Sequence, residues 1–261
     1  MGAQTTTVTT TNFKNHLQQI FKTDDRSKDE LDKMFNLMEL FIELPPPPDP
    51  LGIHSEYEKL KGIYERSLES NDSEAIETAF LQLYCDAHGY EAPYTKEERA
   101  CVDETGGYWA HSGGISPLIK ACSYIHRETI SADFGAGNGL QGLLLQKLYP
   151  HKKTVQIEIS SRMVESGRAL QKWLGIPKEK IAWACDNVMN QSAKNYDFIY
   201  IYRPLKPHGL GVQFYTQFAK DVSQSQNPVT IFSIADCLKD FLPESFTQFY
   251  NDGHLTCFRK G

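Results

Sequence analysis

The stretch Ala132-Asp133-Phe134-Gly135-Ala136-Gly137-Asn138-Gly139-Leu140 decides how this chain is read. A short apolar run, Ile130–Phe134, stops at a glycine, and a helical pattern, Leu140–Leu148, begins five residues later. Glycines at a strand-to-helix junction let the chain turn sharply and let a ligand approach bare backbone, while the helix start offers free N–H groups and a positive dipole end. A dinucleotide fingerprint asks for G-x-G-x-x-G/A, and its last position is Leu140 here. The spacing present is D-x-G-x-G-x-G.

Downstream, the pattern alternates. Strands are expected at Ile130–Phe134, Thr154–Ile159, Ile181–Cys185, Tyr196–Tyr202 and Val229–Ala235, with helical stretches such as Leu140–Leu148 and Arg162–Leu174 between them. Short apolar strands separated by helix-length segments predict a parallel sheet covered on both faces. Phe246–Tyr250 and His254–Phe258 flank Asn251-Asp252-Gly253, a hairpin signal.

The glycine loop, an acid (Glu158) closing the second strand, another (Asp186) after the third, and a terminal hairpin together resemble the class I S-adenosylmethionine-dependent methyltransferases, over roughly Tyr108 to the C-terminus. The resemblance implies an α/β fold, a doubly wound, seven-stranded, mostly parallel sheet ending in an antiparallel hairpin and preceded by an N-terminal helical segment. It implies S-adenosylmethionine as cofactor. Gly135, Gly137, Asn138 and Gly139 would form the loop beneath it, with Asp133 near its methionine end. Glu158 would accept from both ribose hydroxyls, and Asp186 and Asn187 would face the adenine edge. Tyr108 and His111, in the glycine-rich segment Gly106–Pro117, are lid candidates.

On the acceptor side, ligands of open α/β sheets bind beyond the carboxyl ends of the strands, which puts Tyr202 and Arg203 near the transferred methyl. His111, His208 and Tyr202 are candidate proton acceptors. There is no N/D-P-P-Y/F segment after the fourth strand and no Pro-Cys pair. Asp236-Cys237 stands after the fifth strand, where metal-dependent relatives carry Asp-Asn, so no metal is expected. Two other readings stay open: a nicotinamide-dependent oxidoreductase, against which Leu140 counts, and a non-catalytic relative acting as a binding or scaffold module.

Upstream, the first hundred residues read as helices. One is expected from an N-cap at Asn12, another from Ser27 with Glu30 completing a capping box, and two more at Ser55–Leu68 and Ser73–His88. In the last, Ala75, Ala79, Leu83 and Ala87 share a face. The stretch Leu31–Ile42 is apolar around most of its circumference and has to be buried, and Pro45–Pro48 reads as a stiff spacer. This divides the chain into a tail (1–11), a helical cap (12–105) and a cofactor-binding domain (106–261).

The 261 residues carry 27 Lys and Arg against 33 Asp and Glu, and residues 1–100 alone hold 10 against 19. No basic face is evident, so a small-molecule or protein acceptor is expected ahead of nucleic acid. Six cysteines without a C-x-x-C pair read as buried free thiols in a reducing compartment. No apolar run approaches the roughly 18 residues that span a bilayer, and the expected location is cytoplasmic. Gly2 with Thr6 fits a myristoylation pattern, but no basic segment follows to assist a single chain, so Thr5–Thr11 reads as a tail.

Overall fold

The computed structural model describes residues 10–89, 94–107, 112–235 and 237–260. Nine α-helices and seven strands are described, in the order α1 Thr10–Ile20, α2 Lys28–Glu43, α3 Tyr57–Ser67, α4 Ser73–Ala87, α5 Lys96–Thr105, α6 Ser116–Lys120, β1 Ile130–Phe134, α7 Leu140–Leu148, β2 Lys153–Glu158, α8 Ser161–Trp173, β3 Ile181–Cys185, β4 Phe198–Tyr202, α9 Leu210–Ser223, β5 Val229–Ile234, β6 Phe246–Asn251 and β7 Leu255–Lys260. The strands form one sheet in the order β3-β2-β1-β4-β5-β7-β6. β1 to β5 are parallel, and β7 runs antiparallel to both β5 and β6. This is the doubly wound, seven-stranded, mostly parallel sheet with a C-terminal antiparallel hairpin that the sequence predicts. Its strand order reverses between β1 and β4, the switch point at which open α/β sheets form their ligand crevice.

Side chains alternate along each strand. Ala132, Phe134, Ile199, Ile201 and Ile231 face one core, under α9. Tyr200, Phe232 and Cys257 face another, which also takes in the buried side chains of α2, α4, α6 and α7. A row of polar residues lies on this second face: Asp133 is in register with Gln156 on β2 and with Tyr200 on β4. Chains of apolar residues would pack there unaided, so a buried carboxyl in the middle of the sheet marks a place where stability is given up for something else.

The N-terminal helices do not stand apart. The Ser27–Glu30 capping box starts α2 as expected, and Met34, Phe35, Leu37, Met38 and Phe41 are buried in the same cluster as α6 and α7. Along α4 the buried stripe is Ile76, Ala79, Phe80, Leu83, Tyr84 and Ala87. Ala75 lies outside it, exposed, because the larger Ile76 and Phe80 turn the helix toward the core. α1 begins at Thr10, two residues ahead of the expected cap at Asn12, since no proline or glycine stops the turn there. The polyproline connector is fastened: Pro47 is buried, the Pro45 carbonyl accepts from Trp173 Nε1 at 2.9 Å, and Lys61 donates to the carbonyls of Ile42 and Leu44.

All six cysteines are free thiols. Cys237 and Cys257 are buried, whereas Cys185 is exposed, because β3 is an edge strand and this is its last residue. No described helix is long and apolar enough to cross a membrane.

Candidate active site

The loop after β1 is shaped by its glycines. Gly135, Gly137 and Gly139 all have positive φ (83°, 58° and 70°), a region side-chain-bearing residues enter only at a cost. At Gly139 a Cβ would also collide with the Trp183 ring. The backbone N–H groups of Gly135 and Ala136 donate to the Ile157 carbonyl at 3.0 and 2.9 Å, which folds the loop over the end of β2. Asn138 is fully buried and clasps two elements. Its Oδ1 accepts from Leu140 N at 3.1 Å, starting α7, and its Nδ2 donates to the Ala87 carbonyl of α4 at 3.2 Å.

Glu158, the last residue of β2, reaches this loop. Its Oε2 accepts from Gly137 N at 2.8 Å and its Oε1 from Ser160 N at 2.9 Å. It is 5% exposed, and burial pushes its carboxyl up to about 7 although those N–H groups pull the other way. Asp133, 2% exposed, is pushed up to about 8, first by burial and then by the Glu158 charge. Its Oδ2 has no hydrogen-bond partner, nor do Tyr200 OH, Gln141 Nε2 and Gln156 Oε1, all buried. Unsatisfied polar atoms are rare in protein interiors. Several of them beside a glycine loop indicate a polar group still to be bound.

A cavity of about 250 Å³ opens over this loop at the carboxyl ends of β1, β2 and β4. Its floor is Gly135, Ala136, Gly137 and Glu158. Asn187 and Val188 form one wall, Tyr202, Arg203, Pro204 and Leu205 another, and His88, Tyr94, Val102, Thr105 and Gly107 close it from the N-terminal side. That last wall is held by a bridge between Gly107 and Leu205 and by Lys206 N donating to the Gly106 carbonyl at 2.8 Å.

The structure thus brings Gly135, Gly137, Glu158, Asn187, Tyr202 and Arg203 to one cavity. Asp133, Asn138 and Gly139 support it from behind. Asp186 stands beside Asn187, its carboxylate accepting from Asn187 N, Asn190 Nδ2 and Gln191 Nε2 at 2.7–2.9 Å, which hold it below the usual carboxylate range, the Asn190 bond foremost. His208 is exposed and does not line the cavity. Tyr108, His111 and Asp236 lie outside the described residues.

Two features were not read in the sequence. Arg203 and Ala235, at the exits of β4 and β5, both have positive φ (31° and 60°), and the Arg203 guanidinium donates to the Ala235 carbonyl. Such backbone strain costs about 1–3 kcal/mol per residue and clusters at functional sites. His88 is the other; it lines the cavity from a buried position one residue past α4. A histidine directly before Gly89, the glycine that follows the apolar stripe of α4, was a usable signal.

The residues present fit a cofactor with vicinal hydroxyls and a charged amino-acid end. The Glu158 carboxylate keeps acceptor capacity beyond what its backbone donors take, and the Asp133 and Tyr200 side chains carry buried oxygens with no partner.

No protein-family model matches the chain, and no curated protein matches it. Among solved structures, TrmN from Thermus thermophilus is similar at 16% identity over 56% of this chain, with a TM-score of 0.42, and the match covers 47% of that protein's length. An RNA methyltransferase from Salinibacter ruber, in complex with S-adenosyl-L-homocysteine, is similar at 15% identity over 56% of this chain and 87% of its own, with a TM-score of 0.41. An rRNA methylase from Streptococcus thermophilus is similar at 16% identity over 55% of this chain and 92% of its own, also at 0.41.

Proposed function

We propose that this chain is an S-adenosylmethionine-dependent methyltransferase. The observation that carries the reading is the buried Glu158 carboxyl bonded to Gly137 N of a three-glycine loop, at the switch point of this sheet. When bound, S-adenosylmethionine supplies an activated methyl on a sulfonium, so the leaving group needs no acid. The protein's task is to hold an acceptor in line and to exclude water. Glu158 would take the ribose hydroxyls and Asn187 would border the adenine. Asp133, held largely neutral at pH 7, would donate or accept at the methionine end together with Tyr200.

Tyr202 and Arg203 frame the side from which an acceptor enters. The Tyr202 ring meets His254 edge to face, with centroids 6.2 Å apart, which sets the phenol's direction at the mouth. Val102 and Thr105 of α5 form part of the cavity wall. The preference for a small-molecule or protein acceptor drawn from net charge finds no support in this geometry. Against the nicotinamide reading, Leu140 is fully buried at the start of α7, where a dinucleotide fold uses its third glycine.

The test is calorimetric titration of the purified protein with S-adenosylmethionine and S-adenosylhomocysteine, with NADH as control. Micromolar binding of the adenosyl pair and none of NADH supports the reading. Silence from the adenosyl pair moves the assignment to a scaffold, and NADH binding moves it to an oxidoreductase.

A further inference from the structure

Net charge conceals where the charges sit. Residues 147–180 carry eight Lys and Arg against three Asp and Glu, and one of those acids, Glu158, is buried in the cavity floor. The topology gathers the bases. α7 and α8 run back against the parallel strands and end at the sheet edge where β2 and β3 begin, bringing Lys147 and Lys172 of their last turns there. Lys152 and Lys153 enter β2, and Lys178 and Lys180 precede β3. The pairing of Thr154 with Ile181 sets Lys153 beside Lys180.

Lys147 Nζ donates to the Leu174 carbonyl at 2.9 Å and Lys180 Nζ to the His151 carbonyl at 2.8 Å, so these loops are in contact. Lys147, Lys152, Lys153, Arg168, Lys172 and Lys178 are exposed, with Glu165 and Glu179 the exposed acids among them. Among the described residues, none of these six bases nor Lys180 enters an ion pair.

We infer that the exposed flank of α8 and the adjoining lysine edge of β2 and β3 form a docking surface for the phosphate backbone of a nucleic acid. Attraction to helix C-termini accounts for Lys147 and Lys172, but not for Lys152, Lys153 and Lys178. Lysines act on phosphate as flexible point charges. No exposed ring accompanies them: Trp173 donates to the Pro45 carbonyl and packs against Phe41 and Tyr57, and Trp183 donates to Gln171. A surface of bases without stacking rings reads phosphates, not sequence.

The band also points at the cavity. α8, thirteen residues long, extends about 20 Å from the lysine edge to the level of Cys185, whose Sγ lies 3.8 Å from the carbonyl of Ile159, a cavity residue. A strand laid along α8 has one end beside the mouth. The inference does not require that the cavity transfer a methyl group.

The test is fluorescence anisotropy with a labelled 20-nucleotide single-stranded RNA and the corresponding RNA duplex at 50–200 mM KCl. It compares the full chain with a variant carrying Lys152→Gln, Lys153→Gln, Lys172→Gln and Lys178→Gln. The full chain should bind with steep salt dependence, and the variant should lose about 3 from the slope of log K against log salt for the single strand, at about 0.7 per phosphate contact. If the quadruple variant melts early, the pairs Lys152→Gln/Lys153→Gln and Lys172→Gln/Lys178→Gln should each remove about half of that loss. No RNA binding by the full chain at 50 mM KCl overturns the inference, as does a slope unchanged in the variants. Concentration-dependent self-association that the substitutions abolish, without RNA binding, would instead assign the surface to the acidic helices of a second copy.

Discussion

Replacing Glu158 with Gln separates its role in binding from its role in folding. The carboxyl is pushed up to about 7 from 4.5 in the folded chain. A raised acid binds more protons folded than unfolded, so its effect on stability is nil below pH 4.5 and grows unfavourable up to pH 7. At 1.36 kcal/mol per unit the full penalty is about 3 kcal/mol. Glutamine does not titrate. Its oxygen can keep one of the bonds from Gly137 N and Ser160 N, but its amide then faces the other donor, a pH-independent cost of about 1–3 kcal/mol.

The variant should therefore melt below the native chain at pH 5 and gain on it by about 3 kcal/mol by pH 8, roughly 6–12 °C for a chain of this size. In the same samples, affinity for S-adenosylhomocysteine should fall roughly 10- to 150-fold, the loss of about 1.5–3 kcal/mol in charge-assisted bonds. In the native chain, affinity should rise with pH until about 7 as the carboxylate forms, then lose that dependence. Calorimetry and thermal melts from pH 5 to 8 read both effects. Unchanged affinity in a folded variant would refute the binding role, and a melting difference independent of pH would refute the burial argument.

Three further substitutions test the frame around the site. Gly139→Ala should cost about 2–4 kcal/mol, from positive φ and the Trp183 contact, read as a lowered melting temperature. Asn138→Ala should cost about 1–3 kcal/mol by leaving Leu140 N and the Ala87 carbonyl without a partner, and should weaken S-adenosylhomocysteine binding by calorimetry; intact binding would detach α4 from the loop's function. Ser27→Ala should cost about 1 kcal/mol through its helix cap and leave ligand affinity unchanged.

What the sequence disclosed follows the strength of each physical signal. Ile130–Phe134, Ile181–Cys185 and Leu140–Leu148 were readable to the residue because a glycine, a proline or a charge stands within two residues of each end. The hairpin was readable from Asn251-Asp252-Gly253, although Asn251 closes β6. α5 was not, since Val102 is its one buried residue and leaves no apolar stripe to find, yet it supplies a wall of the cavity. The strain at Arg203 and Ala235 depends on φ, which composition does not encode. The basic band was hidden by averaging: its lysines come from four segments that meet only when parallel strands align their starts.

The N-terminal helices share a core with the sheet. Phe41, Phe80, Leu83 and Tyr84 belong to the core that includes α7 and the sheet. At about 1.5–3 kcal/mol for each large apolar side chain, these four alone contribute about as much as the 5–15 kcal/mol by which a whole protein is stable. The same helices meet the site directly, through the Ala87 carbonyl on Asn138 and the Tyr84 hydroxyl on Gln141. Gln141 sits one residue into α7 with its amide nitrogen still unpartnered. A shift of α4 thus changes the glycine loop and the polar atoms behind it together. The helical segment borders the cavity through His88 and holds the loop from behind through Ala87.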